Sequence, residues 1–92
     1  MMKVMFSANG KLREALKGDV ELYIEASSCS LHDAIRLVGE QLQPGQRDLL
    51  LDEDQHTVHQ HILLAVNDEM VTEDEWLRDG DRISVLMPMA GG

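Results

Sequence analysis

A single apolar stripe between Ser30 and Leu42 constrains the fold of this chain more than any other feature. Its members recur at i, i+3, i+4, i+7 and i+11, and they are Leu31, Ala34, Ile35, Val38 and Leu42. This spacing places them on one side of an α-helix, which must bury that side against another element. Ser30 is the predicted N-cap, Asp33 lies near the positive end of the helix dipole, and Pro44 with Gly45 predicts the helix end.

Strand patterns on both sides of this helix predict that it packs on a sheet. In the segment 20–25, apolar residues alternate with Glu and Tyr, which is typical of a strand with one face in water. Further strands are predicted at 3–6, 61–71 and 82–87, with turns at Asn67–Asp68 and Asp79–Gly80. The apolar run within 61–71 is unbroken, so we expect burial on both faces there.

Two further segments complete the predicted order. Residues 10–17 predict a short helix, with Asn9 or Ser7 as its cap and Gly18 just beyond its end. The segment 43–61 predicts an irregular hairpin that turns within 52–55. The order of strand, short helix, strand, long helix, strand, turn and strand predicts an α+β roll, with one helix packed on one face of the sheet.

The length and charge of the chain limit what it can do. Its 92 residues make one small domain with a single core, which favours a binding or carrier protein over an enzyme. Eight Lys and Arg against seventeen Asp and Glu give a formal net charge of -9. Such a surface repels nucleic acid and an anionic membrane, so we expect neither as a partner, and it attracts a protein with a basic face.

We expect a cytoplasmic protein. The first ten residues hold one Lys and no long apolar run, so no secretory signal is predicted. No segment approaches the length of a transmembrane helix. The single Cys29 cannot form an internal disulfide, which fits a reducing compartment.

Polar clusters are candidate sites of another kind. His56, His59 and His61 lie close together, and the last two would share one face of a strand. No Cys or second cluster completes a set of four ligands, so we predict a polar sheet edge and no metal site. The acidic runs 52–55, 72–76 and 79–82 predict a solvated face that also meets a basic partner, with a turn shaped by its Asp residues.

Cys29 is a candidate for thiol chemistry because it stands just before the cap of the long helix. A helix N-terminus lowers the pKa of a nearby thiol, which would make Cys29 reactive. A small residue in a turn is the favoured interpretation.

The end of the sequence is the strongest functional feature. It runs Met87-Pro88-Met89-Ala90-Gly91-Gly92 after the last predicted strand. Two final glycines redirect no turn, and their lack of side chains suits a carboxylate that enters a narrow channel in another protein. Pro88 ends the strand because it cannot donate to a ladder. We therefore predict a folded domain at 1–88 and a flexible tail at 89–92, with the carboxylate of Gly92 as the reacting group.

Four segments make this chain resemble the MoaD and ThiS group of ubiquitin-like sulfur carriers, most closely the small subunit of molybdopterin synthase. They are the opening strand and helix at 3–18, the Val-Asn strand and turn at 63–71, the Asp-Gly-Asp turn and last strand at 77–88, and the closing Pro-Met-Ala-Gly-Gly. The resemblance implies the β-grasp fold, a mixed sheet of four to five strands with one main helix on one face. The segment 43–61 resembles a longer branch of the family.

The resemblance implies a carrier that is not catalytic by itself and binds no cofactor. A partner of the E1-like MoeB or ThiF type would use ATP to adenylate Gly92. Sulfur from a cysteine desulfurase or a rhodanese would then make a thiocarboxylate, 1-thioglycine, which donates sulfur to molybdopterin in complex with the synthase large subunit. The tail would include Gly91 and Ala90, and the partner surface would include Phe6, Met87, Pro88 and Met89, with a place wholly in the core as the alternative for Phe6.

The same activated glycine fits two other functions. The sulfur acceptor would then be the thiamin thiazole, cysteine, a tungsten-type cofactor or tRNA. In a different class, the chain would be a ubiquitin-like modifier joined to lysines of other proteins. Isopeptide-linked conjugates in cell lysate would indicate the modifier, and a thiocarboxylate without conjugates would indicate a carrier.

Overall fold

The computed structural model describes residues 1–52 and 58–87, which contain seven strands and three helices. In chain order these are β1 (Met2–Ala8), α1 (Gly10–Leu16), β2 (Val20–Ile24), β3 (Cys29–Ser30), α2 (Leu31–Glu40), α3 (Pro44–Arg47), β4 (Leu63–Val66), β5 (Glu69–Val71), β6 (Trp76–Leu77) and β7 (Arg82–Leu86). The predicted tail at 89–92 and most of the turn predicted at 52–55 lie outside these ranges.

Five strands form one mixed sheet in the order β2-β1-β7-β4-β5. The two ends of the chain meet at its centre, where β1 and β7 run parallel and Ala8 lies opposite Val85. All other neighbours in this sheet are antiparallel. A parallel pair needs a crossover connection, and the chain between β1 and β7 supplies it by way of α2. This arrangement is the β-grasp fold that the resemblance implied, with the larger of the two expected strand numbers.

The predicted apolar stripe of α2 forms the centre of the core. All five of its residues are buried, and they cluster with inward-facing residues of β1, β2, β4 and β7. The hydroxyl Oγ of Ser30 accepts a hydrogen bond of 3.1 Å from the backbone N–H of Asp33, so the predicted cap is confirmed. Helix α2 therefore packs on one face of the sheet, as its spacing predicted.

The chain after α2 is more ordered than the predicted hairpin. Helix α2 ends at Glu40, and Pro44 is the first residue of the short helix α3 instead of only a stop signal. The guanidinium of Arg47 donates to the carbonyl oxygens of Gly39 at 2.8 Å and Leu42 at 3.3 Å. The carbonyl of Gly39 also accepts a hydrogen bond of 3.1 Å from the N–H of Leu42, so Arg47 adds a second donor at the carboxyl end of α2.

Part of the predicted hairpin at 43–61 is present. An isolated antiparallel bridge joins Leu51 to Val58, and both residues are buried in the core. Residues 53–57, which connect them, lie outside the described ranges. The bridge fits the expected pairing of the short apolar run with the segment before β4.

Two turns set the register of the last strands. Asn67 and Asp68 have φ values of 52° and 70°, and they connect β4 directly to β5. Two central residues with positive φ make the kind of two-residue turn that suits the twist of a hairpin. At the turn before β7, Gly80 has a φ of 88° and its N–H donates to the carbonyl of Lys3 at 2.8 Å.

Two features of the sheets differ from the predictions. Strands β3 and β6 form a separate two-stranded sheet, in which Ser30 pairs with Trp76, and the sequence analysis did not predict it. Strand β4 is also not buried throughout, because Leu63 at its start is 52% exposed. Within residues 1–52 and 58–87, no helix combines the length and the apolar composition that crossing a bilayer requires.

Candidate functional site

The candidate site is the end of β7, from which the sequence continues into residues 88–92. Strand β7 is the middle strand of the five, paired with β1 on one side and β4 on the other. Met87 follows it and packs half-buried against the core. The predicted site residues Pro88, Met89, Ala90, Gly91 and Gly92 lie outside the described ranges. Their roles therefore stay predictions.

The backbone of Met87 is held by the side chain of Asn9. The carbonyl Oδ1 of Asn9 accepts a hydrogen bond of 2.7 Å from the Met87 N–H, and its Nδ2 donates one of 3.1 Å to the Met87 carbonyl oxygen. Asn9 stands at the cap position of α1, as the sequence suggested, but its side chain makes no capping hydrogen bond. Asn9 therefore does not cap α1 through its side chain as predicted, because its amide group binds the backbone of Met87 instead.

An exposed apolar group, here named the outer patch, lies on the sheet face opposite α2 and consists of Leu63, Ala65, Met70 and Leu86. Leu63 is the register partner of Leu86, and Ala65 is the partner of Met70. Three of the four are exposed, with Leu63 at 52%, Met70 at 60% and Leu86 at 40%. Apolar side chains that pair across strands in water are typical of a surface that another protein covers.

The outer patch is not among the features predicted from the sequence. One signal was present, since the apolar run in β4 fills both faces and Leu86 lies between inward-facing Val85 and half-buried Met87. From the sequence alone this run predicts burial on both faces of the sheet. The register of β4 with β7 shows instead that Leu63 and Leu86 meet on the outer face, next to the start of the tail.

Two of the residues predicted on the partner surface, Phe6 and Met87, lie within the described ranges. Phe6 has no exposed surface and lies in the core, which is the alternative that the sequence left open for it, so no partner can pack on its side chain. Met87 is half-buried and lies beside Leu86, so it is placed where the tail begins.

The other candidate residues do not form a second site. Burial, followed by the charge of Asp33, raises the pKa of the Cys29 thiol, which is the opposite of the activation that a helix N-terminus would give. The rings of His59 and His61 stack with centroids 5.2 Å apart, in a turn before β4 and not on a strand. His56 lies outside the described ranges. Within the described ranges, no three His, Cys, Asp or Glu side chains gather as a metal site would require.

The acidic residues around 79–82 shape a turn, as predicted. An oxygen of Asp79 accepts a 2.7 Å bond from the backbone N–H of Lys3, and an oxygen of Asp81 accepts a 2.8 Å bond from that of Arg78. The second oxygen of Asp81 accepts from the side chain of Asn67 at 2.9 Å. These carboxylates tie the start of β7 to β1 and to the Asn67–Asp68 turn.

Comparison with known proteins agrees with this architecture. The small archaeal modifier protein 1 of Haloferax volcanii superposes with a TM-score of 0.84 at 17% identity, over 97% of this chain and 100% of that chain. A Pyrococcus furiosus protein, assigned as subunit 1 of the molybdopterin converting factor, gives 0.73 at 22% identity, over 97% and 100%. The BexX/CysO complex of Amycolatopsis orientalis gives 0.70 at 26% identity, over 97% and 99%.

The family assignment rests on the sequence match. No curated protein matches the chain. The ThiS family, in contrast, matches it over residues 7–92, which includes β7, Met87 and the whole closing segment. The chain therefore belongs to the ThiS family of ubiquitin-like sulfur carriers and modifiers.

Proposed function

We propose that this protein is a sulfur carrier whose terminal Gly92 becomes a thiocarboxylate, and that it donates this sulfur as the small subunit of a molybdopterin synthase. The observation that supports this most is the position of β7. As the middle strand of the sheet, with Met87 held by Asn9, it starts the closing segment from a fixed point on a rigid element. A segment that starts from a rigid element has a more precisely placed origin than one that starts from a mobile loop.

The proposed chemistry takes place in two displacements at Gly92. In the first, a carboxylate oxygen of Gly92 attacks the α-phosphorus of ATP, and pyrophosphate leaves, which gives an acyl adenylate. In the second, hydrosulfide attacks the acyl carbon and AMP leaves, which gives the thiocarboxylate directly. A persulfide donor instead gives an acyl disulfide and AMP, and a second thiol must then attack the donor's sulfur, forming a mixed disulfide with it and releasing the thiocarboxylate. The product is 1-thioglycine at the terminus, and both displacements are catalysed by groups of a partner enzyme.

The length of the closing segment sets how deep a partner site can lie. Five residues, 88 to 92, span at most about 18 Å when fully extended. The partner must therefore bring its ATP site within about this distance of Met87. Glycine at the last two positions leaves the terminal carboxylate without neighbouring side chains, which a narrow approach to the phosphate requires.

The outer patch is the proposed partner surface. It lies beside Met87, so a partner that covers Leu63 and Leu86 receives the closing segment from the same side. Apolar contact of this kind supplies affinity, while the formal charge of -9 speeds encounter with a basic surface. We propose an E1-like adenylating enzyme and the synthase large subunit as alternate occupants of this surface, with a cysteine desulfurase or rhodanese as the sulfur source.

The choice of molybdopterin as acceptor rests on the closing Pro-Met-Ala-Gly-Gly and its resemblance to the molybdopterin synthase small subunit. Another sulfur acceptor is the second candidate, and it is supported by the 26% identity with a chain of the BexX/CysO complex, whose name does not mention molybdopterin. A third candidate is a protein modifier, since the fold is shared with the small archaeal modifier protein 1. All three require the same activation of Gly92.

Reconstitution separates these candidates. The protein is incubated with ATP, an E1-like adenylating enzyme from the same organism and sodium sulfide, and its intact mass is measured. We expect a gain equal to the difference between one sulfur and one oxygen. The thiocarboxylated protein is then mixed with the synthase large subunit and the sulfur-free pterin precursor, and formation of the dithiolene product is expected.

The possible results test the choice of sulfur acceptor separately from the carrier role. Thiocarboxylate that forms but is not consumed with the large subunit would contradict the molybdopterin assignment and leave the carrier role standing. Isopeptide conjugates in lysate, without thiocarboxylate, would instead support the modifier. The carrier role itself would be contradicted if this protein gains no mass with an adenylating enzyme that is shown, in a parallel reaction, to activate another carrier protein.

A further inference from the structure

Asn9 has an unusual use for a residue at a helix cap. A cap side chain normally accepts a hydrogen bond from a backbone N–H in the first turn of its helix, and loss of this bond destabilises the helix. In α1 the Asn9 side chain makes no such bond. Both of its polar groups contact Met87 instead, 78 positions later in the chain. The capping contact is replaced by one at the start of the tail.

The sheet explains why Met87 needs this partner. The parallel pairing of β1 with β7 ends at Ala8 and Val85, and the pairing of β4 with β7 ends at Leu63 and Leu86. After Ala8 the chain turns away into α1 through Gly10, whose φ is 59°. The side-chain amide of Asn9 presents the same acceptor and donor as a backbone peptide group. It therefore extends the ladder by one residue, to Met87.

We propose that Asn9 is a positioning residue for the reaction at Gly92. It fixes the point and the direction at which the chain leaves the sheet beside the outer patch, so that a partner bound there receives the closing segment at the entrance of its channel. This inference rests on the proposed function. Asn9 touches no reacting atom in this account and acts through the backbone of Met87. Because reaction rates depend on near-attack geometry, a displacement of about 1 Å at the reacting group can lower the rate by about 100-fold.

The other end of β7 offers a matched control. There the side chain of Asn67 also makes two hydrogen bonds. Its Oδ1 accepts one of 3.0 Å from the backbone N–H of Arg82, and its Nδ2 donates one of 2.9 Å to the carboxylate of Asp81. Asn67→Ala removes the same kind of double contact and adds strain at a positive φ. It should therefore destabilise the domain at least as much as Asn9→Ala, yet it lies away from Met87.

Two measurements test the role of Asn9. The first is amide hydrogen exchange by NMR, in which Asn9→Ala should speed exchange of the Met87 amide and Asn67→Ala should leave that amide unchanged. The second is the steady-state rate of thiocarboxylate formation with the adenylating enzyme, ATP and sodium sulfide. Asn9→Ala should lower kcat by about 10- to 100-fold with KM for the carrier changed by less than about twofold. Asn67→Ala should match wild type in both constants.

The outcomes decide the proposal separately from the carrier role. Equal kcat values for Asn9→Ala and Asn67→Ala, with wild type fully activated, would overturn the role of Asn9 and leave the carrier function intact. An unchanged Met87 amide in Asn9→Ala would overturn it as well. If wild type gains no sulfur, the proposed function fails and the reaction role of Asn9 fails with it, whatever the exchange data show.

Discussion

A methyl group on Gly39 of α2 would lie 2.9 Å from Cδ1 of Leu51, in the segment that follows α3. Leu51 is buried and cannot move into water without losing its own contacts. The last turn of α2 is therefore packed closely against the chain that leads to the Leu51–Val58 bridge.

Gly39→Ala should lower stability although alanine is the better helix former. Replacing a helical glycine gains about 1 kcal/mol, whereas overpacking a core costs about 1–3 kcal/mol, so the net change in the free energy of unfolding should be a loss of up to about 2 kcal/mol. Gly45→Ala is the control, because nothing lies within 4 Å of its added methyl group. Urea unfolding of both variants measures this. A gain in stability for Gly39→Ala equal to that for Gly45→Ala would contradict the close packing.

Val38→Asp should destabilise the domain strongly. Val38 has no exposed surface, and a carboxylate there would lose water without gaining a partner. The expected cost is about 3 kcal/mol or more, seen as a large drop in Tm. Leu37→Asp is the matched control, since Leu37 is its neighbour on α2 and is 37% exposed. Similar melting of the two variants would show that α2 does not bury the predicted face.

The periodic parts of the sequence predicted the fold well. The α2 stripe, the alternation in β2 and the Asn67–Asp68 turn each follow from local spacing or local backbone chemistry, so one segment is enough to predict them. The structure of the segment 43–61 is harder to predict, because it depends on hydrogen bonds from the Arg47 side chain to the carbonyl oxygens of Gly39 and Leu42. Such contacts between segments leave no period in the sequence.

The candidate site was only partly predictable for the same reason. The closing Gly-Gly is visible in the sequence, whereas the Asn9–Met87 contact joins residues 78 positions apart and replaces a local cap that the sequence did suggest. For Phe6 the sequence leaves both the partner surface and the core open, and the packing of α2 decides that its face of β1 is buried. The outer patch likewise depends on the register between β4 and β7.

Cys29 should be a slow nucleophile in the native protein. Burial, and then the Asp33 charge, raise its thiol pKa, so the thiolate is scarcer at a given pH than in the unfolded chain. The stability that this neutral thiol contributes is present below the unfolded pKa and is lost as pH rises through the higher native pKa. Alkylation by iodoacetamide at about pH 8 should be faster in urea than in buffer. Asp33→Asn should speed the native reaction, because it removes the negative charge that helps to raise the pKa of the Cys29 thiol. The cap of α2 should survive this change, since Ser30 accepts from the backbone N–H of residue 33. Equal rates in buffer and in urea would contradict the raised pKa.

Leu63→Glu should weaken binding of the adenylating enzyme while the domain stays folded. Leu63 is 52% exposed in the outer patch, and a carboxylate there would be buried by an apolar partner. We expect at least a tenfold increase in Kd, measured by titration calorimetry, with little change in Tm. Tyr23→Glu is the control, because Tyr23 is 61% exposed on the same sheet face at the distant β2 edge. Equal losses of affinity in both variants would show that binding depends on overall charge and not on the patch.

Changing the length of the closing segment tests the central claim that Gly92 is the reacting residue. One variant lacks Gly92, a second carries one extra residue after it, and both should have the Tm of wild type, since few contacts are made by a terminal segment. Each protein is incubated with ATP, the adenylating enzyme and sodium sulfide, and its intact mass is measured. Wild type should gain the mass difference between sulfur and oxygen, and neither variant should, because its carboxylate is displaced by one residue from the α-phosphate. Activation of the extended variant at the wild-type rate would contradict the account.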